Sequence, residues 1–179
     1  YGNGGFDTKL NTNGFSINYG GNVSLSNHQY LNTATLFTVA GNITQDGSLT
    51  LNGATLNITG DYSHTLGTTI VDSGSITVGG NYQYGDNSDA RLFMDHNSGS
   101  ITVSGNAIIK PHTAYHSLTA GVLDVKGDFT HATGVHQNNF NPTGTHKTVL
   151  SGTSKQTVSF GIVPESGFNI RSAILGDLP

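Results

Sequence analysis

The sequence predicts an all-β chain wound as a single-stranded parallel β-helix, a β-solenoid of about 20 residues per coil with a roughly triangular cross-section. Three observations carry this. One phrase recurs, with apolar residues alternating with polar ones, then Gly, then Asn or Asp, then usually an apolar residue. It is seen at Phe37-Thr38-Val39-Ala40-Gly41-Asn42-Ile43, Leu56-Asn57-Ile58-Thr59-Gly60-Asp61-Tyr62 and Ile76-Thr77-Val78-Gly79-Gly80-Asn81-Tyr82. It returns at Ile101-Thr102-Val103-Ser104-Gly105-Asn106-Ala107 and Leu123-Asp124-Val125-Lys126-Gly127-Asp128-Phe129, with a looser copy from Phe15 to Val23. Second, the glycines fall at 21, 41, 60, 80, 105 and 127, steps of 20, 19, 20, 25 and 22; a fixed period of that size marks stacked repeats. Third, the apolar positions alternate, the period of a strand and not of a helix.

Residues 1–14 (YGNGGFDTKLNTNG) read as a lead-in rich in Gly and Asn, and residues 15–129 as the solenoid repeats. Each coil divides into three strand-like pieces. One follows the Asn/Asp (Ile43, Tyr62, Tyr82/Tyr84, Ile108/Ile109, Phe129), one lies mid-coil (Leu49/Leu51, Ile70, Leu92/Met94, Leu118), and the third is the recurring phrase itself. The glycine is expected to supply a corner conformation open to a residue without Cβ. The residue after it is expected to stack in register through all coils, about 4.8 Å apart. Asn22, Asn42, Asp61, Asn81, Asn106 and Asp128 would then form an internal polar ladder. Each Asp is flanked by Asn, so no two carboxylates are neighbours. One coil alone cannot bury enough apolar surface to offset its ordering, so stacking must hold the molecule together.

The two longest steps predict protruding loops at 82–99 and 107–121; Pro111, lacking an N–H, suits a corner or bulge. After Phe129 the period falters. Residues 130–179 read as final coils, with runs at Thr148-Val149-Leu150 and Thr157-Val158-Ser159-Phe160, plus an irregular cap or junction.

Charged residues make up 10% of the chain and the net charge is −4. That low, slightly acidic balance argues against nucleic acid, which needs a basic face. No apolar run approaches the length of a membrane span. There are no cysteines, hence no disulfide framework. The chain opens at Tyr1 without an initiating Met or a signal segment, which reads as a piece of something longer. A polar, weakly charged, Cys-free surface suits a secreted or cell-surface protein.

The phrases SGSITVGGN (73–81), SGSITVSGN (98–106) and LNGATLNITGD (51–61) resemble the β-solenoid repeats of large secreted and cell-surface bacterial adhesins of the filamentous-haemagglutinin type. The tail TGTHKTVLSGTSKQTVSF (143–160) is similar to segments of repeat-bearing surface proteins of Gram-positive bacteria. The first resemblance implies a right-handed helix used outside the cell as a stalk or binding surface, and no catalytic residues.

Candidate chemistry is sparse. The eight histidines (His28, His64, His96, His112, His116, His131, His136 and His146) show no tight ligand spacing, although Asp61/His64 and Asp128/His131 repeat one interval. They read as solvated or turn residues, and no metal or cofactor is expected. Asp86, Asp89, Arg91, Asp95 and His96 form the densest charged stretch. In an enzyme such carboxylates could act as acid and base or hold calcium, with Arg91 on a sugar acid; the reading preferred is a charged surface loop. Tyr82, Tyr84 and Tyr115, with His112 and His116, are candidate loop contacts for glycans or host-surface ligands, although Tyr62 and Tyr82 are also placed to stack on each other. The outward row Asn18, Thr38, Asn57, Thr77, Thr102, Asp124 is mixed and reads as one residue wide, which argues against an ice-binding face.

The function expected is therefore non-catalytic and structural or adhesive: a stiff spacer of an extracellular bacterial surface protein whose loops serve binding or assembly. A head-to-tail self-assembling fibre subunit is one alternative. A carbohydrate-active lyase or hydrolase using Asp86, Asp89 and Asp95 is the other.

Overall fold

The computed structural model describes residues 8–10, 15–26, 28–31, 36–86, 89–110, 117–132, 140–161 and 173–175. They form strands and no helix. The first coils contain β1 (Thr8–Leu10), β2 (Ile17–Tyr19), β3 (Val23–Leu25), β4 (His28–Leu31), β5 (Leu36–Val39) and β6 (Ile43–Gln45). The middle is built from β7 (Ser48–Thr50), β8 (Thr55–Ile58), β9 (Tyr62–His64), β10 (Gly67–Ile70), β11 (Ser75–Val78) and β12 (Tyr82–Tyr84). Then follow β13 (Ala90–Met94), β14 (Ser100–Val103), β15 (Ala107–Ile109), β16 (Ser117–Leu118), β17 (Val122–Val125) and β18 (Phe129–His131). The chain ends in β19 (Lys147–Leu150), β20 (Val158–Phe160) and β21 (Ala173–Leu175).

As far as β18, every third strand lands on the same side. The first sheet has the order β1-β4-β7-β10-β13-β16, the second β2-β5-β8-β11-β14-β17-β19-β21, and the third β3-β6-β9-β12-β15-β18-β20. All pairings are parallel, and the second sheet stacks the recurring phrase in strict register: Leu56, Ile76, Ile101 and Leu123 face one another in turn, as do Ile58, Val78, Val103 and Val125. This is a three-sided β-solenoid. Because inward positions of all three sheets meet on the axis, the core is a continuous column of buried side chains. Examples are Val39, Leu56, Tyr62, Val78, Tyr82, Met94, Ile101 and Val125. Among the described residues no helix is long and apolar enough to cross a membrane.

The stretch at 82–99 departs from the expected loop. Residues 82–84 and 90–94 are strands, and the inward residues Leu92 and Met94 are buried. The five residues by which this coil exceeds its predecessor are spread over its corners and a longer β13. Within 107–121, residues 107–109 and 117–118 are strands, while Pro111 lies outside the described residues.

The recurring glycines are needed for a different reason from the one expected. Positive φ occurs at Asn52 (48°), Gly53 (87°), Gly67 (80°), Asp72 (46°) and Gly85 (84°), in the other two kinds of corner, and at Gly121 and Gly144, but not at Gly41, Gly60, Gly80, Gly105 or Gly127. What these five share is crowding. A Cβ on Gly105 would stand 2.6 Å from the carbonyl oxygen of Gly80 and 2.7 Å from Asn81 Oδ1. On Gly127 it would stand 2.5 Å from Asn106 Oδ1, and Gly41, Gly60 and Gly80 face the same collision with the preceding coil. The glycine is the space into which the previous coil's Asn or Asp reaches.

Gly105→Ala should therefore destabilise the fold by about 1–3 kcal/mol, because the obstacle includes backbone that cannot rotate away. Gly20→Ala, where an added Cβ meets nothing within 4 Å, should change stability by less than about 0.5 kcal/mol. Urea unfolding of the two variants checks the contrast.

Candidate functional site

The column of Asn and Asp residues lies on the outer corner between the second and third sheets, not inside the solenoid. Asn22, Asn42, Asp61, Asn81 and Asn106 are exposed and Asp128 is half-buried. The bonding is not side chain stacked on side chain. Asn22 Oδ1 accepts from the backbone N–H of Asn42 at 2.9 Å, and Asn42 Oδ1 from that of Asp61 at 2.9 Å. Asp61 Oδ1 accepts from Asn81 N–H at 2.7 Å, Asn81 Oδ1 from Asn106 N–H at 2.9 Å, and Asn106 Oδ1 from Asp128 N–H at 2.8 Å. The last rung runs from Thr157 N–H to Asp128 Oδ1 at 2.7 Å. Each carbonyl in the column accepts from the residue after its predecessor, as in Ile43 N–H to Asp61 O at 2.9 Å. In each of these rungs the side chain acts as the acceptor through Oδ1, so either Asn or Asp can fill the position. Asn81 Nδ2 also donates to Asp61 Oδ1 at 3.3 Å, a bond that Asp at this position could not make.

At the last described corner the column continues by substitution. Earlier glycines bond along the corner by backbone, as in Gly127 N–H to Gly105 O at 2.9 Å. After Gly127 the side chain of Gln156 takes over: its Nε2 donates to the carbonyls of Gly127 (2.5 Å) and Val125 (3.0 Å), and its Oε1 accepts from Gly152 N–H at 2.9 Å. Thr157 occupies the next column position, with a hydroxyl one bond closer to the backbone than an Asn Oδ1.

The interior holds a polar cluster absent from the sequence reading. Gln45, His64 and Thr69 are buried, with Tyr62 among them. Gln45 Oε1 accepts from the hydroxyls of Tyr62 and, at 3.0 Å, Thr69, while its Nε2 donates to Gly47 O at 2.9 Å. His64 Nε2 donates to Gly67 O at 3.2 Å, leaving Nδ1 facing the Thr69 hydroxyl at 3.4 Å. One coil further on, Tyr82 stacks on Tyr62 with centroids 5.2 Å apart. The residue in register with Thr69 there is Leu92, and the buried Tyr82 hydroxyl has no partner among the described residues. Burial raises the phenol pKa of Tyr62, Tyr82 and Tyr84, so all three stay protonated.

The loop candidates separate. Tyr82 and Tyr84 point inward and are buried, so neither can stack on a glycan; Tyr84 donates to Ala90 O at 3.2 Å. Asp86 lies 3.8 Å from the Lys110 ammonium, both partly exposed. Asp89 and Arg91 are exposed, with Arg91 on the outer face of β13. Asp95 Oδ1 accepts from the hydroxyls of Ser117 (2.7 Å) and Thr119 (2.8 Å) in the next coil. His112, Tyr115, His116 and His136 lie outside the described residues. His64, His131 and His146 are buried, not solvated, because each continues an inward alternation or fills an inner corner. Among the described residues no group of three or more His, Asp or Glu side chains is arranged to hold a metal ion. The outer face of the second sheet is two residues wide, not one. Beside the row Thr38, Asn57, Thr77, Thr102 runs a second, Thr55, Ser75, Ser100, and Ser75 Oγ donates to Thr55 Oγ1 at 3.1 Å.

His146 takes the corner position that Ala54, Gly74, Gly99 and Gly121 hold in earlier coils, each carbonyl accepting from the next coil. Its Nδ1 donates to Ala120 O at 2.8 Å, and its buried Nε2 has no partner among the described residues. Burial lowers its pKa below the ordinary 6.5, and the Ala120 bond opposes this only in part. The unfolded chain thus binds this proton more readily than the folded one. Stability from this group is complete above about pH 6.5 and falls as pH drops below it.

Three outcomes follow. Asn42→Ala should cost about 1 kcal/mol, while Asn42→Asp keeps the acceptor and costs less, its remaining cost coming from the new carboxylate beside Asp61. Tyr62→Phe should destabilise by about 1–2 kcal/mol, whereas Tyr82→Phe should be neutral or stabilising, because it deletes a buried hydroxyl that has no partner among the described residues. Thermal melts measure both pairs. Lowering pH from 7 to 5 should lower Tm more in the parent than in His146→Ala, compared with each variant's own value at pH 7.

No known protein family, curated protein or solved structure matches the chain.

Proposed function

We propose that the chain is a stiff, non-catalytic spacer of an extracellular bacterial surface protein, presenting its outer faces and corners to glycans or host-surface ligands. The observation that supports it is the parallel pairing of three sheets along one axis, six to eight strands in each. In such a stack each coil contacts only its neighbours, so length is added coil by coil and the axis is held by hydrogen bonds running along it. The outer rows are mainly Ser, Thr and Asn, a surface that stays hydrated with little charge.

Two observations weigh against the alternatives. The fibre reading needs a column that goes on extending, and at the last described corner Thr157 offers a shorter side chain than Asn. The carbohydrate-active reading needs converging carboxylates, and of its three Asp95 is engaged by two hydroxyls of the next coil, Asp86 stands near Lys110 and Asp89 is exposed just before β13.

Antibody fragments raised against the folded chain should label intact cells of the source organism, and mild protease treatment of those cells should remove the label. Labelling that appears only after permeabilisation would contradict the proposal.

A further inference from the structure

Three asparagines begin the tripeptide Asn-x-Ser/Thr with x other than Pro: Asn22-Val23-Ser24, Asn42-Ile43-Thr44 and Asn57-Ile58-Thr59. This is the acceptor pattern for sugar attachment to the asparagine amide. Two of the three coincide with the outer column, which at first sight forbids modification, because the column holds the coils together.

The geometry removes that objection. At Asn22 and Asn42 the column uses Oδ1 alone, as acceptor of the next coil's N–H. Nδ2, the atom a sugar would take, makes no hydrogen bond among the described residues. Both asparagines are exposed, and so are the hydroxyl residues Ser24 and Thr44, on the outward side of the third sheet. Asn57 differs. It is half-buried in the middle of the second sheet's outer face, with Thr38 and Thr77 in register on either side. Asn81 and Asn106 share the corner but are followed two residues later by Gln83 and Ile108, which offer no hydroxyl.

We infer that Asn22 and Asn42 are sites of N-linked glycosylation, borne on the outer corner without loss of the hydrogen-bond column. In the transfer, Nδ2 bonds to C1 of a sugar as the bond from C1 to a pyrophosphate oxygen breaks. One amide proton is lost, and the pyrophosphate leaves on its nucleotide or lipid carrier. The product keeps Oδ1 and one amide hydrogen, so the rung to the next coil survives. Neighbouring corners stand about one strand spacing, roughly 4.8 Å, apart. The two sites therefore compete for room, and a chain with one glycan is the expected major form. The glycans would give the spacer a hydrated edge that its low charge does not.

Peptide mapping by mass spectrometry of the chain isolated from its source organism tests this. A sugar increment on the peptides holding Asn22 or Asn42, and none on Asn81 or Asn106, is the expected result. A single monosaccharide points to a nucleotide-sugar donor, and a block of several sugars to a lipid-linked one. Thr44→Val, which leaves the column atoms in place, should lower occupancy at Asn42 at least tenfold with Tm unchanged. Enzymatic release that converts Asn22 to Asp should also leave Tm unchanged, because Asp61 and Asp128 already fill this role and the next residue of the column, Asn42, is uncharged. Asn22 and Asn42 both unmodified, or Asn57 modified while they are bare, would overturn the inference. Unmodified chain found on the surface of intact cells would overturn it alone and leave the spacer reading standing.

Discussion

Everything in this molecule depends on how closely consecutive coils approach at one corner. There a backbone N–H of each coil is held by a side-chain oxygen of the coil before it, and that oxygen needs a neighbour without a Cβ. The glycine and the Asn or Asp are two halves of one contact: the first makes room and the second fills it. Six rungs, from Asn22 to Thr157, repeat it. The contact is outside the core, so it is not a matter of apolar burial. It fixes register, and register in turn brings the inward residues of successive coils face to face, where burial supplies most of the stability.

Inside, the same register exposes the consequence of small changes between coils. Tyr62 and Tyr82 occupy equivalent positions and stack, but only Tyr62 meets a hydroxyl across the core, because Thr69 is replaced by Leu92 in the next coil. A buried network is favourable when every member is satisfied and costly when one is not. The solenoid holds both cases within one strand spacing. His146 makes a related point further along, where a position otherwise filled by Ala or Gly holds an imidazole with one nitrogen bonded and the other without a partner among the described residues.

The stacking of the coils and the register of the second sheet were legible from the sequence, since the period of the Gly-Asn/Asp step and the alternation of Leu56/Ile58 with Ile76/Val78 leave few other arrangements. The side of the wall on which the column lies was not legible. A polar residue after a corner glycine can face either way, and the period is the same for both. The inward placement of His64 and His131 was available in principle: each stands two residues after a buried aromatic, Tyr62 or Phe129, and strand alternation carries the inward face to it. The polarity of the side chain hid that signal. Gln45 and Thr69 were hidden for the same reason, and the stretch 63–69 has too few apolar residues for its period to show. The long step at 82–99 suggests one protrusion, but the added residues are shared among corners and a longer strand. Function was the least legible of all, because a repeat that satisfies its own backbone groups leaves few side chains whose chemistry points outward.

Amide hydrogen exchange followed residue by residue tests the central claim most directly. The backbone N–H groups of Asn42, Asp61, Asn81, Asn106 and Asp128 belong to mostly exposed residues, yet the account predicts that they exchange as slowly as amides inside the neighbouring strands. It also predicts that Asn42→Ala speeds exchange at Asp61 first. Free exchange of these five amides at surface-loop rates in the folded protein would contradict it.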